Sequence, residues 1–385
     1  MRALVFDTTR GSWEETRGFE LADLPAPTLN EKEPADAEQV LIKLHFAGVC
    51  GSDRGIWNRT AFRENILGSL EQEKKTRRII GHESFGEIVA LGKTAPKKYG
   101  LKVGDFVACE SHVVCQSCFQ CEQGEMHVCV NEQILGISYD GCFAEYMKVP
   151  GHIVWKTNTD KIRPEIGAVQ EPFGNAVHAA SKADLAGKTV AIFGLGPIGL
   201  FLTLIARGLG AKDIIGVEPN PISREMAKRL GIDYTIALPS RNKKTPAHQR
   251  DTEVIAQIEE LTNGRGVDIS FEMSGFNSSL NNALFSTRRG GQVIAFGIKN
   301  GDFLIEDYNR FILRGLTIHA VIGRRLPETW QTTTKLLEDS KNKIQENIWN
   351  IILEEGTDTI LPLKEYSKEV FEAKMAKHPK ILLQI

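Results

Sequence analysis

Along the first 165 residues, apolar positions come in short runs that alternate with polar ones and end in glycine-rich turns. "QVLIKLHFAGV" (39–49), "SFGEIVALG" (84–92), "GDFVAC" (104–109) and "FAEYMKVP" (143–150) share this pattern. Alternation over such lengths predicts strands, so this part reads as an irregular β-rich domain. Near residue 166 the texture changes. "KTVAIFG" is a short, wholly apolar run followed by the helix-like "PIGLFLTLIARGLG". Then come strand "DIIGVE", helix "SREMAKRLG", strand "DYTIAL", helix "TEVIAQIEELTNG" and strand "VDISFEMSG". Helix "NSSLNNALFSTRRG", strand "QVIAFG" and strand "LTIHAVIG" complete the series. Strands with no polar face, separated by helices, predict a parallel, doubly wound sheet.

The expected class is therefore α/β, with a β-rich domain over 1–165 and a dinucleotide-binding type of domain over 166–319. Residues 320–385 end in the strand-like "KILLQI" and are expected to return to the first domain. "RNKKTPAHQR" (241–250) reads as a solvated loop.

Composition changes this picture little. The 385 residues are 42% hydrophobic and 25% charged, ordinary for a soluble globular protein. A formal charge of −2 argues against a nucleic-acid or anionic-membrane partner. No apolar run approaches the roughly 18–20 residues that span a bilayer. "MRALVFDTTRG" opens as a strand, without signal-peptide anatomy, and a cytoplasmic location is the default expectation.

Candidate chemistry begins at Gly194-Leu195-Gly196-Pro197-Ile198-Gly199, a G-x-G-x-x-G between a predicted strand and a predicted helix. The first glycine makes the tight turn, the second lets backbone approach a pyrophosphate, and the third lets helix pack on strand. The helix N-terminus offers free N–H groups to the phosphates. About 20 positions further an acid is required, and Glu218 stands there in "IIGVEPN". A carboxylate accepts hydrogen bonds from the ribose diol and repels a 2′-phosphate, which favours NAD(H) over NADP. Arg224, six residues on, lies where it keeps some NADP tolerance open.

Five of the seven cysteines fall between 109 and 129. Cys115-x2-Cys118-x2-Cys121-x7-Cys129 supplies four thiolates in a lobe expected over 109–130, the ligand set of a closed, structural zinc. Cys109 and Cys142 fall outside the spacing and read as small buried residues. A second set is spread more widely. Cys50, His82 and Glu83 offer S, N and O ligands, and Glu171 stands in "VQEPFGNAV". Read alone, a His-Glu pair is more often a surface pair than a ligand pair. Beside a dinucleotide motif and a four-cysteine lobe the balance reverses, toward a catalytic zinc with one open position.

The chain resembles the zinc-dependent medium-chain alcohol dehydrogenase superfamily over essentially its whole length. "GVCGSD", "GHESFGEIVALG", "VGDFVA", the four-cysteine lobe, "GLGPIG" and Glu218 occur in family order. "QEPFGNAVHAA" and "GLTIHAVIGRRLPETW" are similar to segments of L-threonine 3-dehydrogenases, with polyol and sugar dehydrogenases the next branch. The resemblance implies a GroES-like first domain, a Rossmann cofactor domain and oxidation of a secondary alcohol to a ketone by hydride transfer to NAD. Two zinc ions per chain are implied, the catalytic one a Lewis acid. Carried over by position, Cys50, His82 and Glu83 are its ligands, and Glu171 is a second carboxylate that alternates as ligand or orients the zinc water. Ser52 lends its hydroxyl to the proton path, Asp53 braces the site, and Arg324 matches an arginine near the cofactor. A small polar hydroxylated substrate and a homotetramer or homodimer follow from the same resemblance.

Two departures bear on substrate. Threonine dehydrogenases carry a relay histidine where this chain has Gly55, and some sugar dehydrogenases lack it too. The segment "NRTAFRENILGSLEQEKKTRR" (58–78) is longer than in typical threonine enzymes. The reading is an L-threonine 3-dehydrogenase-like enzyme, with a polyol, cyclitol or sugar dehydrogenase as the alternative. Zinc-free quinone or enoyl reduction, and a non-enzymatic NAD-binding role, are disfavoured by the Cys50/His82 pair and the cysteine lobe.

Overall fold

The computed structural model describes residues 1–239, 244–298 and 301–385, which fold as two compact units. Met1–Pro172 and Arg325–Ile385 form one unit, and Phe173–Arg324 form the other. Part of the loop read at 241–250, residues 241–243, lies outside the described residues.

The first unit is built on a seven-stranded sheet. Its longest strand, Gln39–Gly48, pairs antiparallel with Glu83–Leu91, Tyr146–Pro150 and Leu382–Gln384. Alternation along it buries Val40, Ile42 and Leu44 while Lys43 faces water, the pattern a one-sided sheet requires. Because Leu382–Gln384 is one of its partners, the last residues of the chain complete a sheet begun near its start. Trp57 sits in this unit's core, with Phe19 and Phe371 at centroid distances of 5.2 and 5.1 Å, and is a packing residue.

One element of the first unit departs from the sequence reading, which assigns no structure to 58–78. Arg63–Glu73 is a helix that buries only Ile66 and Leu70, one turn apart. Two apolar residues are too few to make a readable period. What fixes the helix is Arg78, 0% exposed, which donates to Glu73 and Ser69 near its C-terminal end and to Asp140 across from it.

The second unit carries six parallel strands in the order Tyr234–Ile236, Asp213–Val217, Thr189–Phe193, Val267–Glu272, Thr287–Ala295, Thr317–Ala320. All five residues of Thr189–Phe193 are buried, as a strand with helices on both faces demands. The helix read through "TRRG" stops at Ser286, and Thr287 already pairs with Val267. Thr287 turns its hydroxyl to Ser270 (2.7 Å) and to the Ala283 carbonyl (2.7 Å), so this β-branched residue ends the helix. A further helix, Tyr308–Arg314, has no buried residue and left no periodic signal. Among the described residues, no helix is long and apolar enough to cross a membrane.

Candidate active site

Cys50 immediately precedes the helix Gly51–Trp57, and His82 and Glu83 stand at the entry to the strand Glu83–Leu91. Their ligand atoms lie within 4.8 Å of one another. His82 is 6% exposed and Glu83 is 0% exposed. Glu83 Oε1 is buried without a hydrogen bond among the described residues, although a buried carboxylate oxygen ordinarily has a partner. Asp53 Oδ2 accepts the Cys50 backbone N–H (2.8 Å), and its Oδ1 lies 3.7 Å from His82 Nδ1. That arrangement leaves His82 Nε2 on the side of Ser52, whose hydroxyl is 3.4 Å away.

Burial works against a charge on His82, but Asp53 and Cys50 outweigh it and hold the imidazole pKa well above its ordinary value. Burial also raises the Asp53 and Glu83 carboxyls, with Lys380 opposing the shift at Glu83. Glu171 lies outside the three-ligand set. Buried at the start of the helix Gln170–Ala180, it exerts its charge on Asp53, His82 and Glu83.

Two cations complete the surroundings, and both escaped the sequence reading. Lys380 Nζ pairs with Glu83 Oε2 and donates to the Val49 carbonyl (3.2 Å), with both charged side chains essentially unexposed. Gly48 makes the pair possible, since a Cβ there would collide with the Glu83 carboxylate. Arg54 donates to the carbonyls of Met375 (2.6 Å), His378 (2.8 Å) and Pro379 (2.9 Å). The sequence did hold a signal for Lys380, a lysine heading directly into the apolar run Ile381-Leu382-Leu383. With His82 neutral, as a metal-ligating histidine must be, and the acids and Cys50 ionised, Cys50, Asp53, Glu83 and Glu171 exceed Lys380 and Arg54 by two negative charges. A divalent cation balances that excess, so the donor set and its charge fit zinc.

Gly55 is closed to a side chain. A Cβ at this position would stand 2.9 Å from Ala61 Cβ, because the chain after the helix folds back over it. A histidine there would require 58–62 to move.

The four-cysteine lobe has the dimensions of a metal site. Sulfur separations are 3.5 Å for Cys115–Cys129 and Cys118–Cys121, and 3.8 Å for Cys118–Cys129. A zinc tetrahedron with bonds of about 2.3 Å places its sulfurs about 3.8 Å apart, while a disulfide needs about 2.05 Å. The Ser117 backbone N–H holds the Cys115 thiol well below the ordinary thiol range. Cys109 and Cys142 are buried away from this group, and burial pushes the Cys109 thiol up to about 12.

In the second unit each glycine of the motif meets a different demand. Gly194 has φ +98°, and a Cβ there would stand 2.9 Å from Ser274 Cβ; a Cβ at Gly199 would collide with the Gly194 carbonyl; Gly196 faces open space. The open position is the one where backbone must approach a ligand. Pro197 and Ile198 begin the helix Pro197–Gly208. Glu218 accepts the N–H groups of Leu195 (2.8 Å) and Asn220 (2.9 Å), so this acid ties the loop to the end of the second strand. Arg224 donates to the carbonyls of Glu218 and Pro219, both at 2.6 Å. Arg324 is 3% exposed and donates to Asn175 Oδ1 (2.9 Å).

Comparison with known proteins places these features. Residues 36–159 match the family model described as alcohol dehydrogenase GroES-like domain, and 197–339 match that of zinc-binding dehydrogenase. An L-threonine 3-dehydrogenase of Pyrococcus horikoshii is 37% identical over 326 residues, 84% of this chain and 85% of the relative. One of Bacillus velezensis is 36% identical over 326 residues, 84% of this chain and 86% of the relative. Among solved structures, galactitol-1-phosphate dehydrogenase of Escherichia coli aligns over 100% of both chains with a TM-score of 0.78 at 23% identity, which speaks for the fold alone.

Proposed function

We propose that this chain, which belongs to the zinc-binding dehydrogenase family, oxidises a secondary alcohol of an L-threonine-like substrate to a ketone with NAD. The observation that carries the reading is the convergence of Cys50, His82 and Glu83 within 4.8 Å, with His82 and Glu83 buried among an excess of acidic groups. Family members use zinc and a nicotinamide cofactor. Here Cys50, His82 and Glu83 would hold one zinc ion, and Cys115, Cys118, Cys121 and Cys129 a second, structural one.

A zinc ion in the first site supplies Lewis-acid chemistry, lowering the pKa of an alcohol so that it loses its proton near neutrality. The chain's own groups do the rest. Asp53 faces Nδ1 of His82 and so orients the ring. Ser52, 3.4 Å from His82 Nε2, would relay the alcohol proton by handing on its own hydroxyl proton as it accepts, with Glu171 or water as the final acceptor. Glu218 receives the ribose diol and disfavours a 2′-phosphate. In the cofactor unit, Thr317–Ala320 is an edge strand with Ile318 exposed, which supports assembly as a homodimer or homotetramer.

A second reading, a polyol, cyclitol or sugar as substrate, is favoured by the closed Gly55 and the helix Arg63–Glu73. NADH formation with zinc-replete protein across L-threonine, L-serine, secondary alcohols, sugars and polyols separates the two. L-threonine turnover well above the rest supports the first reading. Silence on threonine with activity on a polyol supports the second, and no NADH with any of them refutes both.

A further inference from the structure

The helix Gly51–Trp57 carries Asp53 and Arg54 side by side. Asp53 reaches back to Cys50 and His82. Arg54 reaches a distant part of the chain, where it gathers three carbonyls at the end of the helix Lys368–Lys377 and in the turn beyond it. The last carbonyls of a helix lack intrahelical partners, and the planar guanidinium fork can serve several at once. Pro379, the last of the three contacts, is followed directly by Lys380, whose ammonium is buried against Glu83. A lysine side chain has four rotatable carbons, so its ammonium is placed only as well as its backbone is. On one side that backbone is held by the strand Leu382–Gln384, and on the other by Arg54.

We propose that Arg54 is a positioning residue that clamps the Met375–Pro379 turn and thereby sets Lys380 against the carboxylate of Glu83. This rests on the reading of Cys50, His82 and Glu83 as a zinc site. One short helix then braces two ligands, His82 through Asp53 and Glu83 through Arg54 and Lys380. Burial disfavours the guanidinium charge, and the negative groups that oppose this are those of the site itself, Cys50, Asp53 and Glu83. Lysine is a poor substitute at position 54, because its donors radiate from one nitrogen and cannot span three carbonyls.

The test uses full-length, zinc-loaded protein and follows release of each zinc to a chromogenic chelator in wild type, Arg54→Gln and Arg54→Lys. A parallel cobalt-substituted series reads the ligand geometry of the mixed site in the visible spectrum. In Arg54→Gln we expect zinc of the Cys50/His82/Glu83 site to leave about 10–100-fold faster, the usual scale for loss of a partner behind a ligand. The cobalt spectrum of that site should shift, with release from the cysteine lobe unchanged. Arg54→Lys should fall between, and carries the test alone if Arg54→Gln does not fold. Release at the wild-type rate, or equal acceleration at both sites, would overturn the inference. A wild-type chain that holds zinc only on the four cysteines overturns the zinc-site reading itself, and the inference with it.

Discussion

Lys380 and Glu83 are 297 residues apart in sequence and form an ion pair with side-chain exposures of 0% and 1%. Removing one member of such a pair leaves a buried charge uncompensated, at a cost of about 3–5 kcal/mol. Glu83→Ala should therefore destabilise the metal-free protein by about that amount in urea unfolding. Adding Lys380→Met should restore most of the loss. Neither variant should recover the second zinc or turnover, because the ligand is gone in both. Stability and zinc content recovering together would show that Glu83 acts only as a partner for Lys380.

Glu218 accepts two backbone N–H groups of the nucleotide unit in addition to the role proposed for it at the ribose. Hydrogen bonds to a charged group contribute about 1.5–3 kcal/mol. Glu218→Ala should raise KM for NAD and move the NADP/NAD ratio of kcat/KM toward NADP, on the order of 10–100-fold. An unchanged ratio in steady-state kinetics would remove Glu218 from cofactor selection.

Arg78 holds the helix Arg63–Glu73 through Glu73 and Ser69 and holds the 139–141 loop through Asp140. Arg78→Met should cost about 1–3 kcal/mol, since Glu73 and Asp140 lose a buried partner but stay partly solvated and paired with Lys75. Limited proteolysis should then cut within 63–73 much faster than in wild type. A variant that is destabilised but equally protected there would mean that core contacts of Ile66 and Leu70 suffice.

Asp358 accepts from His378 (3.0 Å), Lys374 (2.5 Å) and Lys377 (2.7 Å), and these bonds hold its carboxyl well below the usual range. A depressed pKa stabilises the fold above the unfolded value of about 3.9, and the contribution disappears as pH falls through the folded value. The backbone there has φ +59°, which asparagine tolerates, so Asp358→Asn isolates the charge. Its melting temperature should lie below wild type at neutral pH, with the gap closing as pH falls below about 4. A gap independent of pH would contradict this.

Much of the site was legible because its chemistry is local. The glycines at 194, 196 and 199 each answer a demand of one turn, and Glu218 follows at the distance set by one helix and one strand. The four cysteines lie in 15 consecutive positions, close enough for a short loop to bring their sulfurs together. Alternation in 39–48 and the unbroken apolar run at 189–193 reported which strands have one wet face and which have none. The helices at 63–73 and 308–314 were not legible, because two buried residues in one and none in the other leave no period to read.

The sequence by itself determined the two kinds of unit, the nucleotide loop and the candidate metal ligands, since these depend on residue types at short, regular spacings. Only the tertiary structure decided what surrounds them. Gly55 is closed by Ala61, Arg78 ties down an added helix, Lys380 reaches Glu83 from the far end of the chain, and Arg54 holds the turn that leads into Lys380. Such contacts form where distant segments are buried together, and no periodicity along the chain encodes which charge will face which.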